Sequence, residues 1–114
     1  MEIIRDQISI EKLRDIAAGS FGNLTKAVVD IKNGIMAIDA ELHSDQEAYL
    51  MANENSKQED LWGINLYQDL PAEEWIEFDS VINLRPSNGN VSRGVDDPEL
   101  REKIRTIVNR LVKR

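Results

Sequence analysis

The chain is 114 residues long, with 14 Lys and Arg against 21 Asp and Glu, one His, no Cys and a formal net charge of −7. This length points to one domain, residues 1–114, and 41% hydrophobic with 31% charged residues is a folded composition, not a disordered one. Lack of cysteine excludes a disulfide scaffold, a thiolate nucleophile and thiolate-held zinc or iron–sulfur clusters, and it suits a reducing cytoplasm.

Met1 to Asp6 mixes charges, and no apolar run approaches the roughly 18–20 residues of a membrane span, so a cytoplasmic location without membrane contact is expected. The first helix is predicted over Ile10–Ala18. Ser9 serves as N-cap, Ile10, Leu13, Ile16 and Ala17 share a face, and Gly19 is the stop. Leu24 to Ile31 and Ile35 to Leu42 flank Asn33-Gly34, which predicts a β-hairpin with a type I′ turn. Ser44 and Glu47 then have capping-box spacing, giving a short helix to about Met51, followed by a polar loop from Asn53 to Asp60. Leu61 to Tyr67 alternates as a strand would, with Trp62, Ile64 and Leu66 on one face.

Trp75 to Arg85 alternates as well and predicts a second long strand. Ile76, Phe78, Ile82 and Leu84 would be on one face, with Trp75, Glu77, Asp79, Asn83 and Arg85 opposite. Pro86 to Gly94 is a polar loop, and Asp96 or Asp97 followed by Pro98 opens a last helix. Leu100, Ile104, Ile107, Val108, Leu111 and Val112 form its apolar stripe. The order predicts an α+β fold: an antiparallel sheet of about four strands, two or three helices packed on one face, and a long amphipathic C-terminal helix.

The runs Lys26–Ile31, Gly34–Ala37, Glu41–His43, Ser56–Tyr67 and Trp75–Ser80, with Asn83–Pro86, Ser92–Val95 and Asp97–Glu99, resemble a family of small uncharacterised prokaryotic proteins, a domain of unknown function. The likeness extends over nearly the whole chain. It implies one intact prokaryotic domain and brings with it no activity, substrate or catalytic residue.

Candidate chemistry is therefore weighed from residues. The sole histidine, His43, stands between Glu41 and Asp45, and imidazole with carboxylate oxygens is a ligand set for Zn, Mn or Fe. A packing role for His43 is preferred, and no cofactor is expected. Asn83, Arg85, Asn90, Ser92 and Arg93 form a second constellation. Arginine forks grip carboxylates and phosphates, so an anionic ligand would fit there, but pairing of Arg85 with Asp79 or Glu77 and a local capping or bridging role for Arg93 is the preferred reading. Gly89 and Gly94 have P-loop spacing, but Val95 and Asp96 stand where Lys and Ser or Thr are required. Nucleophilic catalysis lacks a Gly-x-Ser-x-Gly elbow, and Trp62 and Trp75 read as core residues.

The net charge conceals a division. Residues 39–79 hold twelve acidic residues and only Lys57, whereas residues 80–114 hold eight basic against four acidic ones. Nucleic acid is not expected as a partner, although with a basic last third the net charge alone does not exclude it, and such a dipolar chain allows electrostatically steered self-association. The expected function is a non-catalytic binding or interaction module, with a homo-oligomer or an unknown protein as partner. The alternative is a small enzyme or ligand-binding domain that recognises an anionic small molecule through Asn83–Arg93, with metal assistance from Glu41, His43 and Asp45.

Overall fold

The computed structural model describes residues 1–114. In chain order the elements are β1 (Glu2–Ile4), β2 (Ile8–Ser9), α1 (Ile10–Ala18), β3 (Thr25–Asp30), β4 (Ile35–Ile38), α2 (His43–Asn53), β5 (Leu61–Leu66), β6 (Ile76–Glu77), α3 (Pro98–Leu111) and β7 (Val112–Lys113). Five strands make one antiparallel sheet in the order β1-β4-β3-β5-β6, and β2 and β7 pair in parallel as a separate ribbon. The fold is α+β, as expected, with five strands where about four were expected.

Strand alternation sends side chains to two layers. Ala27, Val29, Met36, Ile38, Trp62, Ile64 and Leu66 pack with Leu13 of α1 and with Ile104, Ile107, Val108 and Leu111 of α3. Val28, Ile35, Ala37 and Leu61 point to the other face, where they meet Leu50 of α2. The expected packing of helices on one face thus holds for α1 and α3, while α2 covers the opposite face. Its side of the sheet also carries Lys26, Asp30, Gly63 and Asn65, so this second layer is partly polar.

The caps of α1 and α3 are those read from sequence. Ser9 accepts from Lys12 N, and Asp97 accepts from Glu99 N with Pro98 in the first turn. The hairpin between β3 and β4 forms, but not with a two-residue type I′ turn. Asp30 pairs with Ile35, leaving four residues between, and of Asn33 and Gly34 only Gly34 has positive φ. The reason is Asp30, whose carboxylate accepts from Lys32 N, Asn33 N and Asn33 Nδ2 and also from Ser56 Oγ at 2.6 Å. Asp30→Asn replaces one acceptor oxygen by a donor among these donors, so a loss of about 1–2 kcal/mol is expected, read as a lower urea midpoint.

The predicted long strand from Trp75 to Arg85 is corrected. Pairing stops at Glu77, and the chain continues through 3-10 turns at Val81–Asn83 and Pro86–Asn88. Trp75 is fully buried, whereas Val81 and Leu84 are exposed and Asn83 and Arg85 are buried. Hydrogen bonding explains this inversion. The edge of β5 beyond β6 needs partners, and the Asn83 side chain supplies them, accepting from Gly63 N at 2.9 Å and donating to Gly63 O at 3.0 Å. Arg85 donates to Leu61 O on the same edge. Side-chain amide and guanidinium stand in for a continuation of β6.

Candidate functional site

A cavity of about 260 Å³ opens where three segments meet on the α2 side of the sheet. Lys26 comes from β3, Leu42, His43 and Ser44 from the start of α2, and Ser80, Val81, Ile82 and Arg93 from the segment that follows β6. Gly63 of β5 lies beneath. A Cβ there would come within 2.5 Å of Ser80 Cβ and 3.2 Å of His43 Cγ, so only glycine lets these two residues approach the strand.

The start of α2 differs from the capping box expected at Ser44. The helix begins at His43, its N-cap is Leu42, and no side chain caps it. Glu47 does not reach back, because it pairs with Arg85 at 3.3 Å. The first helical backbone bond is from Gln46 N to Leu42 O. The amides of His43, Ser44 and Asp45 therefore have no partner within the helix, at the end where the macrodipole is positive.

Two cations face this end. Arg93 Nε donates to Asp79 Oδ1 at 2.7 Å, which fixes it and offsets its charge. Lys26 makes no ion pair; its ammonium sits 5.3 Å from the centre of the Phe21 ring. His43 is buried, and its Nε2 lies 2.8 Å from Ile64 O. A carbonyl oxygen only accepts, so Nε2 carries the proton and Nδ1 is left as an acceptor. Nδ1 has no hydrogen-bond partner within the chain and is not shut away from solvent, and His43 is one of the residues that line the cavity.

Burial is the main cause that pushes the His43 pKa below its ordinary value, with Lys26 and Arg93 adding to it and the Ile64 carbonyl and Asp79 opposing. The imidazole is neutral at pH 7. The unfolded chain takes up a proton at His43 near the usual imidazole value, while the folded chain resists it until lower pH. Stability is therefore complete above about pH 6.5 and falls as pH drops toward the depressed folded value. Urea midpoints between pH 7.5 and 5.5 should decline in the parent, and this decline should flatten in His43→Gln.

Of the anion set expected from sequence, only Arg93 lines the cavity. Asn83 and Asn90 are buried and committed to the backbone. Asn83 Nδ2 also donates to Arg93 O at 2.9 Å, and Asn90 Nδ2 reaches Asn83 O and Gly94 O, each at 2.8 Å. Arg85 is held by Leu61 O, Glu47 and the Trp62 ring at 4.8 Å, and Ser92 Oγ donates to Asp96. The metal set of Glu41, His43 and Asp45 does not converge either. Glu41 and Asp45 are exposed, His43 turns inward, and no group of three or more His, Asp or Glu is placed to hold a metal ion.

Lys26, Ser44 and Ser80 were missed, although the sequence contained two signals. Lys26 is the one cation inside a Val-rich strand, and Gly63 interrupts an apolar one, as glycine does where another element comes close.

Residues 2–111 match the model of a family described as "Protein of unknown function (DUF5674)". No curated protein and no solved structure matches the chain. No helix is long and apolar enough to cross a membrane.

Proposed function

We propose that this chain, which belongs to the DUF5674 family, is a binding module that seats a small anion in the cavity at the start of α2. One observation carries this reading: an uncapped helix N-terminus and an unpaired lysine open into the same cavity. Helix amides with a positive dipole end form a ready anion site, and the Lys26 ammonium adds a charge-assisted bond. Arg93, tied to Asp79, contributes position more than net charge.

Binding without turnover is the preferred form of this reading. Ser80 Oγ accepts from Ile82 N at the start of a 3-10 turn and makes no hydrogen bond to His43, so no nucleophile and base are paired. Titration calorimetry with acetate, propionate and inorganic phosphate in low-salt buffer tests the proposal. Saturable binding is expected, weakened about tenfold or more in Lys26→Gln, since a hydrogen bond to a charged group contributes about 1.5–3 kcal/mol. Absence of binding, or equal affinity in Lys26→Gln, contradicts it.

A further inference from the structure

The wall of the cavity selects among anions by hydrogen-bond character, charge and size. Amides, an ammonium and a guanidinium are donors, and they suit an anionic oxygen. The exposed nitrogen of the buried His43 is different: with Nε2–H committed to Ile64 O, Nδ1 can only accept. A bare carboxylate leaves that nitrogen facing a group that also only accepts. A ligand bearing a donor beside its anionic group satisfies both.

Charge narrows the class. Of the side chains that line the cavity Lys26 and Arg93 are positive and His43 is neutral, and Asp79 pairs with Arg93, so Lys26 is the one positive charge of the lining without an ion pair. A monoanion balances that charge, whereas a dianion leaves excess negative charge in a half-enclosed space. Size and rim narrow it further. About 260 Å³ admits a molecule of few heavy atoms, and Leu42, Val81 and Ile82 present apolar surface at the mouth.

Resting on the anion reading above, we propose that the ligand is a small hydroxylated carboxylic acid whose hydroxyl donates to His43 Nδ1 while its carboxylate takes the α2 amides and Lys26. His43 is then the specificity-determining residue, and Leu42 and Val81 meet the short carbon chain.

Lactate and propionate share a carbon skeleton and differ by one hydroxyl, so they isolate the contribution of His43. At pH 8, calorimetry is expected to show one lactate enantiomer binding about tenfold tighter than propionate, and both tighter than phosphate. In the same protein labelled with nitrogen-15, the Nδ1 resonance of His43 should move on adding lactate and stay in place on adding propionate. This measurement needs no substitution, so it is unaffected by any folding defect in a His43 variant. His43→Gln should remove the preference for lactate over propionate. Equal binding of lactate and propionate with an unmoved Nδ1, or phosphate binding tightest, overturns the hydroxy-acid inference and leaves the anion site standing. Failure of every anion to bind, or indifference to Lys26→Gln, overturns the site itself.

Discussion

Asn83→Ala is expected to lower the unfolding free energy by about 3 kcal/mol, read as a shifted urea midpoint at unchanged slope. Asn83 is fully buried, and its amide makes three hydrogen bonds to backbone: with Gly63 N and Gly63 O on the β5 edge, and with Arg93 O across the loop. Alanine leaves Gly63 N and Gly63 O without partners, while Arg93 O keeps the bond it accepts from Ser80 N at 2.9 Å. A buried group so orphaned costs about 1–3 kcal/mol, and water entering the gap recovers part of the total. Asn83→Asp is the informative companion. It keeps an acceptor for Gly63 N but sets a carboxylate against Gly63 O and Arg93 O, so it should be no better than alanine. If the amide only filled space, aspartate would be nearly neutral.

Gly63→Ala should cost about 2–3 kcal/mol and abolish anion binding as well. The new Cβ would lie 2.5 Å from Ser80 Cβ and 2.6 Å from Ser80 Oγ, closer than packed atoms tolerate, and 3.2 Å from His43 Cγ. Overpacking of this kind typically costs about 1–3 kcal/mol, and here it pushes apart the two walls that form the cavity. Thermal denaturation with propionate titration checks both effects. Ser80→Gly in the Gly63→Ala background removes the clashing atoms and should return part of the stability. Full stability in the single variant would show that the turn at Ser80 moves freely, and the cavity would then not be preformed.

Local signals decided what was legible in the sequence. Helix α1 ends where its cap and glycine stop place it, and α3 begins at the residue that Asp97 and Pro98 indicate. In each case the stabilising partner is within a few residues. The segment after β6 was misread for the opposite reason. Its alternation is real, but the hydrogen-bonding demand of a distant strand edge overrides it, drawing Asn83 and Arg85 inward and leaving Val81 and Leu84 outside.

The same competition displaced the capping box. Glu47 has the right spacing from Ser44, yet it serves the buried Arg85, 38 residues away, and the helix end stays open. Asn83, Asn90, Ser92 and Arg85 carry the chemistry of anion recognition, and backbone and carboxylate partners engage all four, Arg85 through Nη2 alone, with its Nε and Nη1 buried without a partner. What distinguishes Lys26 is the lack of such a partner, a property that no residue type reveals on its own.

The most direct measurement follows backbone amides during propionate titration of nitrogen-15-labelled protein, because propionate carries no hydroxyl and reports on the anion site alone. The account predicts saturable shifts that are largest at His43, Ser44 and Asp45, with Gly63 and Arg93 following at the same apparent affinity. Shifts scattered over the basic surface of α3, or no saturation at any residue, would contradict it.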